Sequence, residues 1–212
     1  MNGLWNRRVM GAALGLFVAG SLVLRPDNGD ALVIAGPDII APPSSVINNP
    51  PGAVNDHQQA FNERQDILLA APLAVDGGVI AAGTVVSSHM IFLNIVGPGP
   101  VLDEETWTFD GIILGVMSDR DGTLEAASSA LLGALGTIYP SGFRNRGLES
   151  QNDSYIVAGN MITLSDRVTQ PGDWIRVITQ ATPVPEPSSL LLLATSAAGW
   201  AGIIWLRSRR RI

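Results

Sequence analysis

Cysteine is absent from the 212 residues, and so is lysine. Without cysteine, thiol nucleophiles, thiolate metal centres and disulfide staples are all excluded. The 13 basic residues are therefore all arginine, and they face 19 acids for a formal charge of −6. So little basic charge excludes the electrostatic footprint of a nucleic-acid binder, and no nucleic-acid partner is expected. Charged residues are sparse altogether at 15%, whereas apolar ones reach 46%, which excludes a disordered polar chain. No repeat period is evident, so a propeller or solenoid is not expected. A mean hydropathy of +0.26 beside net acidity is unusual for a soluble domain. The excess of apolar residues is concentrated at the two ends.

Near the N-terminus, Arg7 and Arg8 precede an uncharged apolar run over residues 9–24. A basic start followed by such a run is the pattern of a secretory signal, read by the Sec export machinery. Its 16 residues fall short of the ~20 needed to span a bilayer. Gly29, Asp30 and Ala31 offer a small-x-small cleavage site, so residues 1–31 read as the signal peptide. An uncleaved N-terminal anchor is the rival reading. A second run, residues 189–206, holds 18 residues without a charge and qualifies as a transmembrane helix. Arg207, Arg209, Arg210 and Arg211 follow it in a short tail, residues 207–212. Positive charge stays on the cytoplasmic side, so both basic clusters face the cytoplasm and the residues between them are exported. A buried core helix with a basic tail is the alternative. Ala194, Ala198 and Gly202 place small residues on one face of this helix, suited to close packing against a membrane partner.

Residues 183–188 form a linker in which Val184, Pro185, Glu186 and Pro187 precede the apolar span. Proline fixes φ and carries no N–H, so Pro-Glu-Pro lies extended rather than helical, as a protease requires of its substrate. The same prolines would also serve simply to end the globular domain and start the helix. Tripeptide, span and arginine cluster, in that order, resemble the PEP-CTERM sorting signal of Gram-negative bacteria. The resemblance implies recognition by an exosortase-type membrane protease and cleavage near Pro185–Pro187. It further implies an inner-membrane anchored stage with a periplasmic domain, then transfer to the cell surface or release. Such proteins accompany exopolysaccharide production, which makes exopolysaccharide a candidate partner.

Between the end segments, residues 32–182 hold sixteen of the acids and six of the arginines, a net charge near −10. Such a surface repels anionic membranes and favours cations. Residues 32–56 form a proline-rich extended lead-in. Residues 57–182 alternate short apolar stretches with Gly, Pro, Asn and Asp turns. This pattern predicts a mainly β fold, an antiparallel β-sandwich or jelly roll with one short helix. Residues 61–72 read as a strand pair or a short helix. Residues 79–96 read as a hairpin-like pair divided at Gly83, and residues 124–135 as the helix, with Leu124, Ala127, Leu131 and Leu135 on its buried face. The runs GTVVSSHMIFLN, WTFDGIILGV, RGLE and PGDWIRVIT are similar to ectodomains of sorted proteins, a resemblance that carries no chemistry.

Candidate sites in this middle are few. Asp103 and Glu105 lie on one face of a strand, with Asp110 just beyond, and paired carboxylates serve as acid and base in glycoside hydrolysis. A solvated loop before a strand explains the same acids. Asp119 and Asp121, in the run DRDG, resemble part of a calcium loop, although the full twelve-residue spacing is missing; a type I turn accounts for them as well. No other cofactor is expected. His57 and His89 have no zinc-motif spacing, and His89 reads as a hydrogen-bonded strand residue. Ser87 and Ser88 stand beside it without a nucleophile elbow. Trp107 and Trp174 are expected in the core rather than on a sugar-stacking face. Asn152, Asp153 and Ser154 match a glycosylation triplet that has no bearing in a bacterium. The function expected is that of an exported structural or adhesive surface protein, not an enzyme. A polysaccharide hydrolase and a calcium-dependent carbohydrate-binding module are the alternatives.

Overall fold

The computed structural model describes residues 31–47, 55–95, 100–149, 151–169 and 172–181. Among these, eleven strands and one helix follow in order. They are β1 (Val33–Ala35), β2 (Gln59–Asn62), β3 (Ile67–Leu68), β4 (Leu73–Val75), β5 (Gly78–Ile80), β6 (Val85–Leu93), β7 (Val101–Phe109), β8 (Ile113–Met117), α1 (Thr123–Leu132), β9 (Ser154–Ala158), β10 (Met161–Val168) and β11 (Asp173–Gln180).

Two kinds of strand pattern build two different sheets. β10 alternates, with Ile162, Leu164, Asp166 and Val168 buried and the residues between them more open. This is the signature of a strand with one face on the core and one toward solvent. β6 and β11 are buried almost from end to end instead, because both of their faces are covered. β10 belongs to a four-stranded antiparallel sheet in the order β1-β7-β10-β9. β6 and β11 form the middle of a second antiparallel sheet, β2-β6-β11-β8, with β3 also paired to β6.

The two sheets face each other across one apolar cluster. Trp107, Phe109, Ile162 and Leu164 come from the first sheet, and Ala60, Ile91, Val116, Ile175 and Val177 from the second. The sandwich expected from the sequence is therefore present. The outer face of the second sheet is covered in turn. Val46, Ala134 and Tyr139 pack with Phe61, Met90, Phe92 and Trp174, while Leu69, Ile80 and Leu132 pack with Val86, Met117 and Ile178. The lead-in is part of this architecture: β1 joins β7, Val46 is buried, and Ile39 and Ser45 bridge to Ala60 and Ile138. Ala31, just before the expected signal cleavage, is fully buried as well.

Two details differ from the sequence-based expectation. The turn at Gly83 forms, with φ +85°, but β5 pairs with β4 around Gly77, and β6 pairs with β2, β3 and β11. The apolar content of residues 79–96 could not distinguish these partners. Of the two readings offered for Asp103, Glu104 and Glu105, the strand is the one that forms, since all three lie inside β7. The helix exists, but its buried residues are Glu125, Ser128 and Leu132, whereas Leu131 and Leu135 are exposed.

A charged side chain explains the displaced helix face. Arg176, on the central strand β11, is fully buried and points toward α1. Its Nε and Nη2 donate to Glu63 Oε2 and Oε1 at 2.6 and 2.8 Å. Nη1 donates to the Glu125 carbonyl at 2.6 Å and to Ser128 Oγ at 2.5 Å, and Nη2 also donates to Ser129 Oγ at 3.2 Å. All five guanidinium N–H groups are thereby used. Ser88 Oγ donates to Glu63 Oε2 at 2.5 Å, so the carboxylate is supported too. The helix docks through its polar side because its task is to satisfy a buried arginine.

Candidate functional site

The chemistry-bearing residues gather where the beginning of β11, the end of β10 and the 149–153 turn meet. The N–H groups of Asn152 and Asp153 both donate to the Glu149 carbonyl, which closes one turn and sets the two acidic side chains side by side. Asp153 then holds the segment in place. Its Oδ2 accepts from Glu149 N at 2.6 Å, and its Oδ1 accepts from Arg167 N on β10 at 2.7 Å. Asp173, the first residue of β11, completes the group. One ligand oxygen from each of Glu149, Asp153 and Asp173 lies within 4.8 Å of the other two. Asp153 and Asp173 are buried, and Asp173 Oδ2 has no hydrogen-bond partner.

Two further acids stand near. Asp103 and Asp166 are directly opposite each other on β7 and β10, and Gln58 ties them together. Its N–H donates to Asp103 Oδ2 at 2.6 Å, its Nε2 donates to Asp166 Oδ1 at 3.3 Å, and its Oε1 accepts from Trp107 Nε1 at 2.9 Å. Burial pushes the Asp166 carboxyl up to about 7, with the charges of Asp103 and Asp153 acting in the same direction. Burial pushes Asp173 further, up to about 9, reinforced by Glu149, Asp153 and Asp166. Glu149 is raised as well, by burial and then by Asp153. Arg146, whose charge acts on Asp173, has its own pKa lowered by burial to about 10, and it lies over the Phe143 ring at 4.4 Å. A cavity of about 400 Å³ opens beside Glu149, with Arg120, Asn145, Asn152 and Arg167 in its lining.

Of the residues singled out from the sequence, Asp103 and Glu105 stay together and the others are dispersed. Asp103 and Glu105 share the face of β7 that carries Trp107 and Phe109 into the core. Asp110 lies past the strand end and accepts from Leu32 N at 2.6 Å. At ~3.4 Å per residue, Asp110 is roughly 24 Å from Asp103 along the chain, well beyond the ~5–9.5 Å between the carboxylates of a glycosidase. Asp119 serves the helix start: Oδ2 accepts from the N–H and hydroxyl of Thr123 at 3.0 and 2.6 Å, and Oδ1 accepts from Leu124 N at 2.7 Å. Asp121 is exposed. His89 is fully buried, with Nδ1 2.8 Å from Asn62 Oδ1 and Nε2 3.0 Å from Thr179 Oγ1. Burial lowers its pKa to about 3, so it is a neutral core histidine, as expected. Trp107 and Trp174 are both buried. The group of Glu149, Asp153 and Asp173 escaped the sequence reading, since its members are 4 and 20 residues apart and lie in unlike contexts.

These raised carboxyls predict a pH profile. Burial also pushes Glu125 up to about 9, and both of its carboxylate oxygens are buried without a hydrogen-bond partner. Between pH 7 and 9 the folded domain keeps protons on Asp173 and Glu125 that the unfolded chain has lost. Each such proton costs about 1.4 kcal/mol of stability per pH unit as pH rises. In chelator-containing buffer, Tm should fall by roughly 3 °C or more per unit across that window. Below pH 6.5 the neutral His89 acts in the opposite sense, because there the unfolded chain takes up a proton that the fold refuses. The fall should flatten there. A Tm that stays level from pH 7 to 9 would mean that these carboxyls are ionised in the fold.

What defines the class of this protein lies immediately after β11, which ends at Gln180. An antiparallel β-domain is followed there by a C-terminal processing signal. The family model of the PEP-CTERM protein-sorting motif matches residues 183–211, so the chain carries a PEP-CTERM sorting motif. The motif implies an exported protein, anchored at the membrane and processed there by an exosortase. Comparison with curated proteins and with solved structures finds no match. The motif residues Val184, Pro185, Glu186 and Pro187, the predicted span 189–206, the cluster of Arg207, Arg209, Arg210 and Arg211, and predicted signal residues 1–30 all lie outside the described residues. Among the described residues, no helix is long and apolar enough to cross a membrane.

Proposed function

We propose that this protein is a non-catalytic component of the bacterial cell surface, structural or adhesive within extracellular polysaccharide. The observation that carries the reading is the sorting motif at residues 183–211, directly downstream of a β-sandwich. The disposition of the carboxylates supports it. Asp103 is committed to the Gln58 N–H and Asp110 to the Leu32 N–H, and Asp110 stands too far along the strand to work with Asp103. The sandwich offers the solvated face of the β1-β7-β10-β9 sheet and a polar cavity lined by Arg120, Asn145, Asn152 and Arg167. Amide and guanidinium groups of this kind suit hydroxyl-rich or acidic sugars.

The test is incubation of the purified full chain with exopolysaccharide extracted from the producing cells. The protein should co-sediment with the polymer, and no new reducing ends should appear. Release of reducing ends, abolished by Asp103→Asn or Glu105→Gln, would overturn the proposal in favour of a hydrolase. Failure to co-sediment would overturn the adhesive role.

A further inference from the structure

We propose that Glu149, Asp153 and Asp173 form a divalent-cation site that takes calcium. Three carboxylate oxygens already converge within 4.8 Å of one another. Such a set of hard oxygen donors, with room for water on the side of Glu149, matches the needs of calcium rather than of zinc or copper.

The independent observation is Asp173. Only 4% of this residue is exposed, and its Oδ2 is buried with no hydrogen-bond partner. A buried polar atom normally has a partner, and each exception calls for an account. The arginines nearby do not supply one. Among the described residues no arginine forms an ion pair with any of the three acids; Arg146 donates to Asn94 Oδ1 at 3.4 Å and Arg120 donates to Asn145 Oδ1 at 2.9 Å. A cation would give Asp173 its missing partner.

Local structure fixes the three ligands firmly. The one-turn closure at Glu149–Asp153 and the Arg167 N–H on Asp153 place two of them, and the pairing of Asp173 with Leu93 places the third. Each oxygen that accepts an N–H retains a second lone pair for a metal. The ion would thus tie the 149–153 turn, β10 and β11 together. Export supplies it, since calcium is far more abundant outside the cell than in the cytosol. This site is separate from the Asp119–Asp121 turn, where Asp119 is occupied by the start of α1.

The test uses the full chain, purified in detergent and stripped with chelator. Millimolar calcium should raise Tm by roughly 5–10 °C, and magnesium should do so by much less. Terbium should give luminescence when tryptophan is excited, because Trp174 adjoins Asp173. Asp173→Asn should abolish the calcium shift and the luminescence, while its Tm in chelator equals or exceeds that of the unaltered chain. Glu149→Gln, at a more open position, provides a second variant and should weaken both signals. An unaltered chain whose Tm ignores calcium would overturn the site. So would a shift that survives Asp173→Asn, or one lost instead in Asp121→Asn. An equal response to magnesium would overturn the choice of calcium.

Discussion

Arg176→Met is expected to destabilise the exported domain by about 3–5 kcal/mol, the usual cost of leaving one member of a buried ion pair without the other. The geometry sets the variant at the upper part of that range. Arg176 and Glu63 have fully buried side chains, joined through two parallel bonds of 2.6 and 2.8 Å. Methionine fills much of the volume but strands the buried Glu63 carboxylate, which keeps the Ser88 hydroxyl as a donor, while Ser128 and Ser129 fall back on their bonds within the helix. Stabilities of domains this size are about 5–15 kcal/mol, so a large fraction is at stake, and Tm should drop by roughly 6–20 °C. The helix should respond first, since Arg176 bonds three of its groups and so ties it to β11; hydrogen exchange in residues 123–132 should accelerate more than in β10. The double variant Arg176→Met/Glu63→Leu removes both charges and should recover part of the loss, giving a strongly favourable coupling in a double-mutant cycle. Single variants that each cost less than about 1 kcal/mol would place the pair among exposed bridges instead.

The same arginine shows what was legible in the sequence and what was not. In the run WIRVIT a charge interrupts a strand that is otherwise apolar, which is a signal of burial with a partner. The partner could not be named, because Glu63 is 113 residues away and looks like any acid in a polar turn. The helix followed the same logic. Its existence was readable from composition and from turn residues on either side, and Gly122 does adopt the left-handed φ of +59° that glycine tolerates best. Its inner face was not readable, because apolar periodicity identifies the side that meets apolar neighbours, and this helix meets a guanidinium. Strand periodicity worked where one face of a sheet is solvated, as in β10, and gave no register for β6, which is covered on both sides. The acidic group lay beyond reach for a simpler reason: its convergence depends on β11 crossing to the end of β10, a tertiary fact.

Replacing Pro185, Glu186 and Pro187 together by alanine should leave the protein unprocessed at the membrane, the largest effect on function expected of any change in this chain. Two physical losses coincide in that variant. The glutamate that distinguishes the tripeptide chemically disappears, and so do two residues that each oppose a helix interior by about 3 kcal/mol. Three alanines ahead of Ser188 and the apolar run would let a helix extend through the cleavage region, closing an extended strand that a protease needs. Glu186→Gln separates the two contributions, since it removes the charge and keeps both prolines. Immunoblots of membrane and extracellular fractions should show only the longer species for the triple variant, and mass spectrometry of the released wild-type product should place its C-terminus near residues 185–187. Release of a normally shortened product from the triple variant would defeat the prediction. The fold itself gives cleavage there a clear consequence. β11 is a central strand, paired to β6 through Gln180 and to β8 on its other side, and the matched motif begins three residues later. A cut within Pro-Glu-Pro therefore separates the rest of the matched motif without removing any described strand of the sandwich, and the released domain should melt at the same temperature as the uncut one.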